Sequence, residues 1–243
     1  MIAAIPAAAQ ELLIPAAGAV QGVGGTFFRS DITLFNHHST TQRVTLRWLP
    51  QVGGQTIPPL TFDIPPSSAV SSEDFVTNVL HVSGLGSILV QPVDQDGNPV
   101  LGSGISATSR IWSAGPNGNG TVSQSFPAIP TATINSDQLL LVLGQRLDDR
   151  FRTNVGIVNL DPTQTLEFDV FQNTNDSRGS ITTHVVVPPM TMQQIGLPFA
   201  SVPVLDIGVQ VRTPANATKW IAYGSSVDNV TGDSWSNIGT KLP

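Results

Sequence analysis

The chain repeats itself. Phe28-Arg29-Ser30-Asp31-Ile32 is echoed by Phe151-Arg152-Thr153-Asn154-Val155, Asn36 by Asn159, and Ile64-Pro65-Pro66 by Val187-Pro188-Pro189. Position 28 returns at 151, 36 at 159 and 65 at 188, a constant separation of 123. The separation slips to 122 where Val44, Leu46 and Trp48 meet Leu166, Phe168 and Val170, and to 121 where Ile88 and Val90 meet Val209 and Val211. Slips of this size belong to loops of unequal length. Upstream, Leu12-Leu13-Ile14 is matched to Leu139-Leu140-Leu141 at 127, which implies a shorter loop in the second copy. The copies close alike, on Ile129-Pro130 and Leu242-Pro243. A fixed period means that one structural unit is used twice, and each copy, at about 115 residues, has the size of one ordinary sandwich domain.

Within each copy apolar residues alternate with polar ones. Ile32 and Leu34 are flanked by Asp31 and Thr33, Val44, Leu46 and Trp48 by Arg43, Thr45 and Arg47, and Leu166, Phe168 and Val170 by Glu167 and Asp169. Period-two patterning buries one face of a strand and wets the other. Turn residues separate the runs, at Gly53-Gly54, Asp94 to Asn98, Pro116 to Gly120 and Asn175 to Gly179. Ser71 to Leu80 is the one stretch that suits a short helical turn, with acidic residues near its start. The fold class expected is all-β: two tandem antiparallel β-sandwich domains, immunoglobulin-like and related by internal duplication. Residues 1–10 form a truncated export signal or an N-terminal arm, 11–130 the first domain and 131–243 the second, with a linker over 131–137.

Composition narrows the partners. Charged residues make up 12% of the chain, about half the usual share of roughly 25%, and the formal net charge is -6 with 11 scattered Lys and Arg. Nucleic acid is therefore not an expected partner, because phosphate binding needs clustered basic residues. The absence of cysteine removes thiolate metal sites, cysteine nucleophiles and disulfides together. Met1 to Ala9 is apolar and ends in small residues, as a secretory cleavage site does, but it lacks a basic start and is too short to span a bilayer.

Two motifs carry a resemblance. Leu13-Ile14-Pro15-Ala16-Ala17-Gly18 followed by Gly25-Thr26-Phe27-Phe28-Arg29-Ser30-Asp31-Ile32-Thr33-Leu34-Phe35-Asn36, and the late Ala222-Tyr223-Gly224-Ser225-Ser226-Val227-Asp228-Asn229-Val230-Thr231-Gly232-Asp233, resemble an uncharacterised repeat family of exported proteins from soil and environmental bacteria. The resemblance covers nearly the whole chain and implies an exported tandem of immunoglobulin-like sandwiches. It brings no established activity, so no site residue follows from it. The second copy departs from the first motif, with Asn154 where the first has Asp31.

Candidate sites are few. His37-His38 follows Asn36 into a loop, and the pair is absent from the second copy, where Leu160 and Asp161 stand; His81 and His184 lie elsewhere. Asp94-Gln95-Asp96-Gly97-Asn98 carries alternating oxygens as calcium loops do, but position 105 is Ile, and a tight hairpin between Ile88–Val93 and Val100–Ile105 explains the same residues. Asp228 and Asp233 form either an oxygen-rich pocket or a surface turn. Arg29 and Arg152 recur at equivalent places, so they read as structural, with Asp31 or Asp63 and Glu167 or Asp169 as carboxylate partners. Trp112, Trp220, Tyr223 and Trp235 are candidate stacking residues for sugar rings, against the alternative that they pack in the core. No nucleophile elbow or phosphate loop precedes a helix, so no catalytic, cofactor or metal residue is assigned. Three functions follow in order: a non-catalytic structural or adhesion module, secreted or on a bacterial cell surface; a carbohydrate-binding module; and a hydrolase. Partners would be protein subunits or extracellular polysaccharide, with self-association through the N-terminal arm and no transmembrane span.

Overall fold

A computed structural model describes residues 11–100, 104–115, 118–134, 138–174, 181–198, 204–212 and 219–241. The N-terminal arm at 1–10 and the turn at 175–179 lie outside the described residues, as do 135–137 of the expected linker. The regular structure of the described chain is nearly all strand, in antiparallel sheets that form sandwiches. The first half holds β1 (Leu12–Gln21), β2 (Phe27–Asn36), β3 (Gln42–Pro50), β4 (Leu60–Ile64), β5 (Ala69–Ser72), β6 (Gly84–Val93), β7 (Ile105–Ala114), β8 (Thr121–Pro127) and β9 (Ile129–Pro130). The second holds β10 (Leu139–Leu143), β11 (Phe151–Asn159), β12 (Leu166–Thr174), β13 (Ile181–Val187), β14 (Thr191–Gly196), β15 (Val204–Val211), β16 (Trp220–Asp228), β17 (Ser234–Ile238) and β18 (Thr240–Lys241).

The two halves pair their strands in the same order. In the first, β4-β3-β6-β1-β9 packs over β5-β2-β7-β8; in the second, β13-β12-β15-β10-β18 packs over β14-β11-β16-β17. They differ at β1, which runs on past its own sheet to pair Val20 and Gln21 with Phe28 and Phe27 of β2, so the two layers of the first half are joined. Each sandwich closes on its own core. Ile32, Leu34, Val44, Leu46, Ile64, Ile88 and Val90 fill the first, and Val155, Ile157, Leu166, Phe168, Val170, Val187 and Val209 the second, as the alternation required. The expected match of Leu12-Leu13-Ile14 to Leu139-Leu140-Leu141 is out by one residue. Leu12 and Ile14 face the first core, whereas Leu140 and Val142 face the second, and a one-residue slip turns every side chain to the other face.

A buried asparagine anchors each half. The Asn36 amide Nδ2 donates to the carbonyls of Thr40, Ile64 and Pro65, at 2.8, 3.1 and 3.1 Å. The Asn159 amide donates to those of Gln164, Val187 and Pro188, at 2.8, 3.0 and 3.1 Å. Each carbonyl oxygen in turn accepts the backbone N–H two residues on, from His38 and from Asp161. The Pro-Pro turns that these amides grip each place a non-glycine residue at positive φ, Ser67 at 48° and Met190 at 52°. A side chain with no alternative solvent partner can hold such a turn.

Two local expectations are corrected. The helical turn is only Phe75–Asn78 (α1), because Ser71 and Ser72 continue as β5 and pair with Thr33 and Ile32. Asp74, at the helix start, caps nothing; its carboxylate is turned onto Arg29. The hairpin at Asp94 to Asn98 is shorter than expected: Val93 bridges Pro99 in antiparallel fashion and the Val100 N–H donates to the Pro92 carbonyl, while β6 and β7 themselves pair in opposite layers.

The sandwiches share a third apolar core. Leu13, Ala16, Leu49, Leu89, Ile111 and Phe126 of the first half, with Ile134 of the connecting segment, meet Val158, Met192, Ile221 and Tyr223 of the second. The Tyr223 ring packs edge-on against Phe126, with centroids 5.2 Å apart, and its hydroxyl donates to Gln194 Oε1. Gly156 lies directly under that ring, where a Cβ would collide with it. Polar contacts edge the seam: the Val52 N–H donates to the Met192 carbonyl, Ser225 Oγ to Gln124 Oε1 and Lys219 Nζ to the Thr131 carbonyl.

Two outcomes are expected. Asn36→Ala or Asn159→Ala should each cost about 2–4 kcal/mol in urea unfolding, since several buried carbonyls lose their donor at once. Calorimetry should show one unfolding transition, lowered by Tyr223→Ala through a loss of about 3–5 kcal/mol; two separate transitions in the unaltered chain would contradict a shared core.

Candidate functional site

The two recurrent arginines meet at one place. Strand β2 begins at Phe27 and strand β11 at Phe151, and both starts lie at the same end of the seam. There a cavity of about 640 Å³ opens between the halves, walled by the β1–β2 turn and the end of β7 on one side and by the β16–β17 turn on the other. Arg29, Arg152, Phe28, Val23, Asn229 and Val230 are among its lining residues. A second cavity of about 380 Å³ adjoins it, sharing Val23, Phe28, Arg152 and Val227.

Neither arginine has the partner expected for it. Arg29 Nε pairs with Asp74 Oδ2 at 3.3 Å, and its guanidinium lies over the Phe27 and Trp112 rings. Asp31 is taken from the neighbouring strand instead, accepting from Trp112 Nε1 at 2.7 Å and Arg110 Nη1 at 3.2 Å. Asp63 lies opposite Arg43 and pairs with it. Arg152 Nη1 donates to Asn229 Oδ1 at 2.6 Å. Glu167 and Asp169 are on β12, in the other layer, where they meet His184 and Arg212. Register therefore chose these partners. Burial without a facing carboxylate pushes the Arg152 guanidinium below its ordinary value, although an arginine keeps its charge even so. The paired Arg150 is raised by Asp228.

The Asp228 turn forms the far wall of the cavity. Asp228 is buried at 3% exposure. Its Oδ2 accepts from Arg150, and its Oδ1 from the Val230 and Thr231 N–H groups. Those bonds hold the carboxyl well below the ordinary carboxylate value of 3.8, with Arg150 the largest cause. The Gly232 N–H donates to the Asp228 carbonyl and the Asp228 N–H to that of Asp233, so this segment is a turn leading into β17.

The aromatic candidates divide. Trp220 and Tyr223 are corrected to core residues, 1% and 0% exposed, so neither offers a face for stacking. Trp220 packs against Phe168 inside the second sandwich, and Tyr223 in the seam, where burial pushes its phenol upward. Trp112 and Trp235 are half-buried and tied at their ring nitrogens, to Asp31 and to the Gly144 carbonyl. Of the other motifs, His38 Nε2 accepts the Gly104 N–H and His37 Nε2 bonds Ser106 Oγ, which makes the pair a loop clamp. Asp94 Oδ1 accepts the N–H groups of Asp96 and Asn98, the bonding of a side-chain turn. Among the described residues no group of three or more His, Asp or Glu is placed to hold a metal ion, and no helix is long and apolar enough to cross a membrane.

The cavity escaped the sequence reading. The seam beside it does have a signal, in the apolar runs Leu12 to Ala19 and Trp220 to Tyr223, where a one-sided strand would alternate. No protein-family model matches the chain, and no curated protein was found to resemble it.

The depressed carboxyl of Asp228 ties stability to pH. Because its folded value lies below the unfolded one, its contribution is fully present above the ordinary value of 3.8 and is lost as pH falls through that value toward the folded one. Urea midpoints measured from pH 6 down to 2 should fall, and Asp228→Asn should flatten part of that slope.

Proposed function

We propose that the protein is a non-catalytic structural or adhesion module that works outside a bacterial cell, secreted or on its surface. The observation that carries this reading is the seam: two sandwiches share one apolar core through Leu13, Leu89, Phe126, Met192 and Tyr223. A linker-joined pair of binding domains needs no such core, whereas a load-bearing or spacing unit depends on one. The titratable groups support the same reading. Asp31, Asp63, Asp148 and Asp228 are held by Arg110, Arg43, Arg146 and Arg150, and His37 and His38 by the loop facing them. Side chains engaged in this way serve the scaffold. A carbohydrate-binding reading keeps Trp112 and Trp235, the two half-exposed rings.

Light scattering behind a sizing column, on the full chain and on a chain beginning at Gln10, tests the structural reading across a range of concentrations. Large assemblies that disappear with the truncation are the result expected of a subunit joined through its N-terminal arm. Two monomeric profiles, together with polysaccharide retention that Trp112→Ala and Trp235→Ala abolish, would replace it with the carbohydrate reading.

A further inference from the structure

The two most exposed large apolar side chains among the described residues are Val23, at 70%, and Val230, at 73%. One comes from each sandwich, and both line the interdomain cavity. Single exposed apolar residues are ordinary; the two extremes meeting at one cavity is an arrangement. Charge adds to it. Of the charged residues lining the cavity, Arg29 is neutralised by Asp74 and Asp228 by Arg150. Arg152 has no carboxylate partner among the described residues, and its one hydrogen bond, from Nη1, goes to the neutral amide of Asn229. One positive charge is therefore left uncompensated in a half-buried position, in a chain whose formal net charge is -6.

We propose that this cavity binds an aliphatic monocarboxylate, with the carboxylate on Arg152 and the hydrocarbon between Val23, Phe28 and Val230. The Nε and Nη2 edge of Arg152 has no acceptor among the described residues, and a guanidinium edge matches the two oxygens of a carboxylate. One uncompensated charge suits a monoanion. The volume of about 640 Å³ falls within the range of roughly 300–1,000 Å³ for small-molecule sites, which favour domain interfaces. Walls from both sandwiches mean that the ligand would also bridge them.

Titration calorimetry with octanoate, below its micelle concentration, tests this, alongside octanol (the same chain without the charge) and acetate (the charge without the chain). Octanoate should saturate one site, shifting the backbone amide signals of Val23, Phe28 and Val230 in nitrogen-15 spectra. Octanol and acetate should each bind about tenfold more weakly or worse, as should octanoate to Arg152→Gln. Val230→Asp changes an exposed residue and so tests the lip without threatening the fold; it should weaken octanoate similarly. The proposal is overturned if octanoate fails to saturate, if octanol or acetate equals it, or if it binds Arg152→Gln and Val230→Asp as tightly as the unaltered chain.

Discussion

The packing of one sheet face against another, across the seam of Leu13, Leu89, Phe126, Met192 and Tyr223, governs the rest of the molecule. A sandwich normally buries one face of each sheet and wets the other. Here β1 and β16 are buried on both faces, because each has its own core on one side and the other sandwich on the other. Dispersion and the release of water from apolar surface then act between the halves as they do within them. The close approach depends on Gly156, which leaves room for the Tyr223 ring. Because the seam fixes the halves, the gap at its end has fixed walls, and Arg29 and Arg152 keep fixed places on them.

Within each half the organising device is polar. Asn36 and Asn159 each satisfy three carbonyls where the chain leaves one layer and a Pro-Pro turn enters the other. An amide is suited to this: it carries two donors and an acceptor and no charge to desolvate. The surface carries few ions, and some of those form cross-strand pairs set by register, such as Arg43 with Asp63 and Arg110 with Asp31. Exposed pairs of this kind contribute little to stability. Arg152 departs from the pattern, since register places no acid beside it among the described residues.

Much of the fold was legible in the chain. The alternation at Val44, Leu46 and Trp48 and at Leu166, Phe168 and Val170 named core residues correctly, because a period of two admits one buried face. The constant separation of 123 picked out both asparagines and both Pro-Pro turns. It was less reliable at Leu12 and Leu139, where uniform apolar runs contain no phase. The aromatic residues depart from expectation for a related reason. Trp220 and Tyr223 sit in a run whose two faces are both buried, and composition does not distinguish a core ring from a binding one.

By itself the sequence determined most strand-forming segments, their inward faces and the absence of thiol groups, since these follow from residue type and spacing along one chain. Tertiary structure alone decided which outer faces meet, which carboxylates Arg29 and Arg110 hold, and that Arg152 holds none among the described residues. Those outcomes depend on strand register and on the docking of one sandwich against the other, and they bring together residues as distant as Val23 and Val230. Local periodicity carries no information about contacts at that range.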